Sequence, residues 1–208
     1  MSLRVTILGG GAWGTARAAT AARAGNQAVL WARDGMTVSA INAQRENPRY
    51  LPGIVLDAEI RAEQSLDAAL EDAACVLAVV PAQTMAEVLP RVSAVLARGV
   101  PVVLCAKGIE RATGRLLSEV AAEAMPHHPV AALSGPSFAT DVARGLPTAV
   151  TIAAADDALA ARLAQMLSSP AFRCYSTDDI VGVELGGALK NVLAVAAGAV
   201  AGAGLGAT

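Results

Sequence analysis

Almost at its start the chain reads Arg4-Val-Thr-Ile-Leu8, a short β-branched run, followed directly by Gly9-Gly-Gly11-Ala-Trp-Gly14. An Ala-rich stretch from Ala12 to Ala24 comes next and closes on Gly25-Asn26, a helix with a C-terminal stop. The pattern G-x-G-x-x-G is weak alone, but between a strand and a helix it is a strong sign of a dinucleotide-binding turn. In such a turn Gly9 permits the tight bend and Gly11 lets backbone approach a pyrophosphate. Gly14 allows close helix–strand packing, and the phosphates rest on the helix N-terminus.

The alternation continues along the chain. Strands are expected at 28–32, 60–62, 75–80, 102–105, 130–133, 149–153 and 172–175. Helices are expected between them at 34–44, 66–73, 84–98, 113–125, 138–144 and 156–167, with a terminal helix opening at Ile180. Asn47-Pro-Arg-Tyr-Leu-Pro-Gly53 is loop, because two prolines and a glycine in seven residues defeat either regular element. Strand and helix in this rhythm predict an α/β fold, a Rossmann-type doubly wound and mostly parallel sheet. A hydrophobic share of 54% with only 16% charged suits a sheet covered by helices on both faces.

Composition also sets aside several partners. Aromatics make up 3%, the net charge is −2 and no Lys/Arg cluster stands out. Nucleic acid and anionic membrane are therefore poor candidates. Cys75, Cys105 and Cys174 are far apart, without metal-ligand spacing, and are expected to be buried free thiols in a reducing cytoplasm. No charged leader with an apolar core opens the chain, and the sixteen apolar residues from Val192 to Ala207 fall short of the roughly 20 a spanning helix needs. A soluble cytoplasmic protein without membrane insertion is the expectation.

From Leu185 to Thr208 the single charged side chain is Lys190. A helix apolar on every face is expected to be buried. Burial would lower the pKa of its lysine, so that the amine could exchange a proton near neutrality. A lysine that snorkels to the surface from a core helix is the alternative.

The second strand ends at Trp31-Ala-Arg33-Asp34, where an acid would hold a ribose 2′-hydroxyl and an arginine a 2′-phosphate. Arg33 favours NADP, and Asp34 keeps NAD open.

Further segments carry a resemblance. They are Asn47-Pro-Arg-Tyr-Leu-Pro-Gly53, Val80-Pro81, Lys107-Gly-Ile-Glu110, Ser134-Gly-Pro-Ser-Phe-Ala139, Gly145-Leu-Pro-Thr-Ala149 and Gly182-Val-Glu-Leu-Gly-Gly-Ala-Leu-Lys190-Asn-Val192. With the glycine loop they resemble, in order and from end to end, the bacterial NAD(P)-dependent glycerol-3-phosphate dehydrogenases. The resemblance implies reversible reduction of dihydroxyacetone phosphate to sn-glycerol 3-phosphate with NADP or NAD, supplying phospholipid synthesis. It implies Lys190 as general acid and base, and Lys107, Gly135, Ser137 and Lys190 as substrate contacts. Ala12, Trp13, Arg33, Lys107 and Ala139 would line the cofactor, and the full-length form would be a homodimer. Asn191 is a candidate for orienting Lys190.

Two residues depart from that pattern: Arg17, where an apolar residue is expected, and Ala82, where a serine follows Val-Pro. The chain also stops at Gly204-Leu-Gly-Ala-Thr208. The resemblance would carry that glycine-rich run into an all-α substrate domain with an Asn-Thr-Arg phosphate grip. The expected division is therefore a cofactor domain over 1–178 and the start of a truncated helical domain over 179–208. Other possibilities are a cofactor-binding fragment without turnover, or a reductase of ketopantoate or β-hydroxyacid type. The Ser134–Ala139 segment speaks against the last.

Overall fold

The computed structural model describes residues 2–205. Strands β1 (Arg4–Leu8), β2 (Gln27–Trp31), β3 (Ile60–Glu63) and β4 (Cys75–Ala78) alternate with helices α1 (Ala12–Arg23), α2 (Gly35–Gln44) and α3 (Leu66–Leu70). A 3₁₀ turn at Ala82–Thr84 leads into α4 (Met85–Ser93). Then come β5 (Val102–Leu104), α5 (Leu117–Ala124), β6 (Val130–Ser134), α6 (Ala139–Ala143), β7 (Thr148–Ala154), α7 (Asp157–Leu167), β8 (Phe172–Thr177) and α8 (Ile180–Gly202).

The eight strands form one sheet in the order β3-β2-β1-β4-β5-β6-β7-β8. Every pairing is parallel except β6 with β7, which is antiparallel with Ala131 opposite Ala154 and Ser134 opposite Thr151. This is the mostly parallel, doubly wound α/β sheet expected of the sequence. The order reverses between β1 and β4, which opens a crevice at their carboxyl ends beside the glycine loop.

Side chains alternate across the sheet because successive strand residues face opposite sides. Val5, Ile7, Leu30 and Leu77 pack with α1, α6 and α7 on one face. Leu8, Val29, Val76 and Ala78 pack with α3, α4 and α5 on the other. All three cysteines are buried and free.

Three helices are shorter than expected, α3 ending at Leu70 rather than Ala73. Helix α4 accommodates Pro90 in its interior and ends at Ser93 rather than near Arg98. Residues 109–116 form a turn closed by an Ile109–Leu116 bridge, so α5 begins at Leu117 and not at Thr113.

The larger correction concerns α8. The helix was expected to be buried, but only Glu184 and Gly187 are buried, and Val192, Leu193 and Val195 are two-thirds exposed or more. It packs one edge against β6 and β7, and among the described residues no element covers its outer face. At 23 residues it is also long and apolar enough to cross a membrane. The length argument against insertion, made for 192–207, therefore does not apply to the helix as it folds. Glu184 and Lys190 remain as its charged interruptions.

Candidate active site

The glycine loop turns the chain from β1 into α1 under a cleft of about 640 Å³, lined by residues 9–14, Trp31, Arg33, Asp34, Tyr50 and Pro81 among others. A Cβ on Gly14 would overlap the carbonyl oxygen of Gly9, so this position is closed to any larger residue. Gly11 is the opposite case. It is the N-cap of α1, makes no side-chain cap, and a Cβ there would meet no atom within 4 Å. The first turn of α1 also holds no acidic residue. Free N–H groups at a positive helix end facing open space fit a pyrophosphate. The loop thus has the shape and polarity a dinucleotide needs.

The second wall is a loop tied to this one. Asn47 is fully buried, and its amide donates to the Gly10 carbonyl at 2.9 Å and to Thr15 Oγ1 at 2.8 Å. That anchor brings the 47–53 loop to the cleft and puts Tyr50 on its wall. Reading the segment as loop located neither Asn47 nor Tyr50; the signal was a polar residue just before the rigid Pro48. Arg33 is exposed on the rim, with its carbonyl accepting from Gln64 Nε2 at 3.1 Å. Asp34 caps α2, accepting from the N–H of Met36.

Trp13 is shared with a second cleft, of about 490 Å³, lined by Pro81, Cys105, Lys107, Ser137, Phe138 and Lys190 among others. Lys107 follows β5 and donates from Nζ to the Gly135 carbonyl at 2.9 Å. Ser137 Oγ reaches the same carbonyl at 3.4 Å. Burial first, then the positive charges of Lys190 and Arg17, hold the Lys107 pKa below its ordinary value. Gly187 lies against Ser134 and Lys107, and a Cβ there would stand 2.7 Å from Ser134 Oγ. This close approach seats α8 and delivers Lys190 to the cleft. Lys190 donates to Asn191 Oδ1 at 2.7 Å, the contact expected of Asn191.

Lys190 is exposed, contrary to the expectation of a desolvated amine, because burial along α8 is confined to Glu184 and Gly187. Lys107 is the lysine that burial perturbs. Of the other predicted contacts, Gly135 lines a neighbouring cleft of about 500 Å³ that also includes Lys190. Ala139 stands in the first turn of α6, one residue past the cleft-lining Phe138, and packs against the core. The structure does not bring Ala139 to the wall of these clefts.

Arg17, the departure in α1, is almost fully buried, its guanidinium 4.3 Å from the ring centroids of both Trp13 and Phe172. It sits behind Trp13 and contributes a third positive charge to this region.

The profile of the NAD-dependent glycerol-3-phosphate dehydrogenase N-terminus matches residues 4–160, and that of the C-terminus matches residues 179–208. The chain belongs to this family. It is 62% identical over 204 residues to the glycerol-3-phosphate dehydrogenase [NAD(P)+] of Chelativorans sp. (strain BNC1), covering 98% of this chain and 62% of that protein. For the protein of the same name from Mesorhizobium japonicum the figures are 61% identity, 100% and 60%. The crystal structure of glycerol-3-phosphate dehydrogenase from Coxiella burnetii superposes with a TM-score of 0.89 at 38% identity, covering 99% of this chain and 63% of that one. The chain thus spans a little over three-fifths of the length of these relatives. Membership decides against the ketopantoate and β-hydroxyacid alternatives. The two lysines at one cleft, joined to the glycine loop through Trp13, are the site to which the family assignment directs attention.

Proposed function

We propose that this chain forms the nucleotide-binding and lysine-bearing part of an enzyme that interconverts dihydroxyacetone phosphate and sn-glycerol 3-phosphate. The observation that carries the reading is the convergence of Lys107 and Lys190 on one cleft that shares Trp13 with the dinucleotide cleft.

A nicotinamide cofactor, NADP or NAD, supplies or accepts the hydride when bound. The chain's own residues do the rest. Gly11 and the first turn of α1 receive the pyrophosphate, while Arg33 meets the adenosine end. Trp13 separates the two clefts and forms a wall for the nicotinamide. As hydride reaches the ketone carbon, negative charge grows on its oxygen, and the Lys190 ammonium donates a proton there. In the oxidative direction the neutral Lys190 amine takes the hydroxyl proton. Asn191 holds Nζ through its side-chain oxygen. Lys107 stabilises the same developing charge, while its bond to the Gly135 carbonyl fixes its direction. Ser137 and Gly135 offer a hydroxyl and backbone to the phosphorylated substrate. Buried free thiols fit a reducing, cytoplasmic setting, and the larger protein is read as a homodimer.

The test is dihydroxyacetone-phosphate-dependent oxidation of NADPH, with nucleotide affinity measured in parallel by fluorescence titration. Lys190→Met is expected to abolish oxidation with NADPH affinity unchanged within a few-fold. Undiminished turnover in that variant would remove Lys190 from the mechanism. NADPH binding with no turnover in the unaltered chain would support a nucleotide-binding module instead.

A further inference from the structure

We propose that Arg49 is a second 2′-phosphate-binding side chain, which with Arg33 makes the adenosine end of the cleft selective for a 2′-phosphorylated dinucleotide. The inference rests on the dinucleotide reading of the preceding subsection and specifies its cofactor.

Asp34 stands at the end of β2, where a carboxylate could hold ribose hydroxyls. Its oxygens are already engaged. Oδ1 accepts from the Met36 N–H at 3.1 Å, Oδ2 accepts from Thr37 Oγ1 at 2.8 Å, and Arg49 Nη1 lies 3.3 Å from Oδ2. Asp34 thus acts as the cap of α2 and the tether of an arginine. It lines both the dinucleotide cleft, with Arg33, and the adjoining groove along α2, with Arg49. Arg49 reaches the Asp34 carboxylate from the groove side, while Arg33 lines the cleft beside Asp34, so two arginines and one acid give this corner a net positive charge.

The backbone of Arg49 is held in place. Asn47, two residues before it, is locked to the glycine loop, and Pro48 restricts the step between. The side chain is lightly held: it is 66% exposed, its pair with Asp34 is a single 3.3 Å contact, and its guanidinium lies 5.1 Å from the Tyr50 ring centroid. Exposed pairs of this kind contribute little, so a doubly charged phosphate can take Arg49 from Asp34 at small cost. A guanidinium then presents two parallel N–H donors to the phosphate oxygens, which a lysine cannot. A nucleotide with a free 2′-hydroxyl offers no anion for the paired N–H donors of either arginine, and it meets an acid that already accepts from three donors.

The test is equilibrium titration of the unaltered chain and of Arg49→Gln, Arg49→Lys and Arg33→Gln with NADPH, NADH and adenosine 2′,5′-bisphosphate. Arg49→Gln is expected to weaken NADPH and the bisphosphate about tenfold, or about 1.4 kcal/mol, and to leave NADH within about twofold. Arg49→Lys should fall between. Equal losses for NADPH and NADH would overturn the proposal and assign Arg49 to adenine or loop packing. Unchanged NADPH affinity in Arg49→Gln, alongside a loss in Arg33→Gln, would overturn it while leaving the dinucleotide reading intact. An unaltered chain that binds neither dinucleotide would overturn both.

Discussion

The guanidinium of Arg17 lies 4.3 Å from the ring centroid of Trp13, and Phe172 stacks on it at the same distance. Its Nε and Nη2 are buried without hydrogen-bond partners. Burial pushes its pKa down to about 10, with Cys105 and Cys174 opposing the shift. Two ring faces offset only part of the desolvation of a charge. Arg17→Leu is therefore expected to be neutral or stabilising by up to about 2 kcal/mol, since an apolar group replaces a poorly compensated cation. Arg17→Ala opens a cavity beneath Trp13 and should cost about 2–4 kcal/mol. Urea midpoints at constant m-value check both, and a large loss in the leucine variant would contradict the account.

Lys107 and Lys190 repel each other across the second cleft, and burial has already lowered the Lys107 pKa. A base with a lowered pKa gives up its proton at lower pH, so any ligand that needs its positive charge weakens earlier on the alkaline side. Affinity for the proposed phosphorylated substrate should therefore begin to fall at a pH below that at which an ordinary lysine titrates. In Lys190→Met one like charge is gone, and the alkaline limb should move to higher pH. Amine-labelling rates of Lys107 against pH measure this independently of turnover; a limb that stays put would mean the lysines are not coupled.

What the sequence disclosed and what it hid divide along physical lines. The β1–glycine loop–α1 unit was legible because its periodicity and glycine spacing are local properties. The direction of β7 was not, since strand–helix alternation looks the same whether a strand returns parallel or antiparallel. Lys190 and Lys107, both singled out in the sequence, line one cleft, but Lys190 is exposed where a buried amine is expected of so apolar a helix. Composition describes how apolar a helix is, whereas exposure depends on which edge of it finds a partner. Arg17 stood out as foreign to its helix, yet only the fold brings Phe172, 155 positions later in sequence, onto its other face. Asn47 looked like an ordinary loop residue because its partners, Gly10 and Thr15, are distant in sequence.

Glu184 joins α8 to α5. Its carboxylate accepts from the Ser118 N–H at 3.0 Å and from the Ser118 hydroxyl, capping the first turn of α5. Burial raises its pKa, with the Ser118 bonds opposing. For an acid with a raised folded pKa, the stabilisation is complete below the unfolded value of 4.5 and is lost as pH rises through the folded value. Glu184→Gln should therefore flatten the decline in stability above pH 4.5 while keeping an acceptor for the Ser118 N–H. Glu184→Ala leaves that N–H unpaired and should cost about 1–3 kcal/mol. Thermal unfolding across pH distinguishes the two, and a glutamine variant with the same slope as the unaltered chain would exclude Glu184 as its source.

Gly11 and Gly14 separate the folding role of the loop from its binding role. At Gly14 a methyl group would overlap the Gly9 carbonyl, so Gly14→Ala must push α1 away from β1. A loss of about 3 kcal/mol or more is expected, at the upper end for overpacking because the obstacle is backbone. At Gly11 the φ of −77° suits any residue and nothing stands within 4 Å of a Cβ. Gly11→Ala should therefore cost no more than about 1 kcal/mol, the difference between alanine and glycine at an N-cap. The added methyl group would nevertheless occupy the space a pyrophosphate needs, and NADPH affinity should fall at least about tenfold. Denaturation and nucleotide titration on the same samples decide the matter. If Gly11→Ala binds NADPH as well as the unaltered chain does, the phosphates do not rest on this turn, and the functional reading of the glycine loop fails even though its structural reading holds.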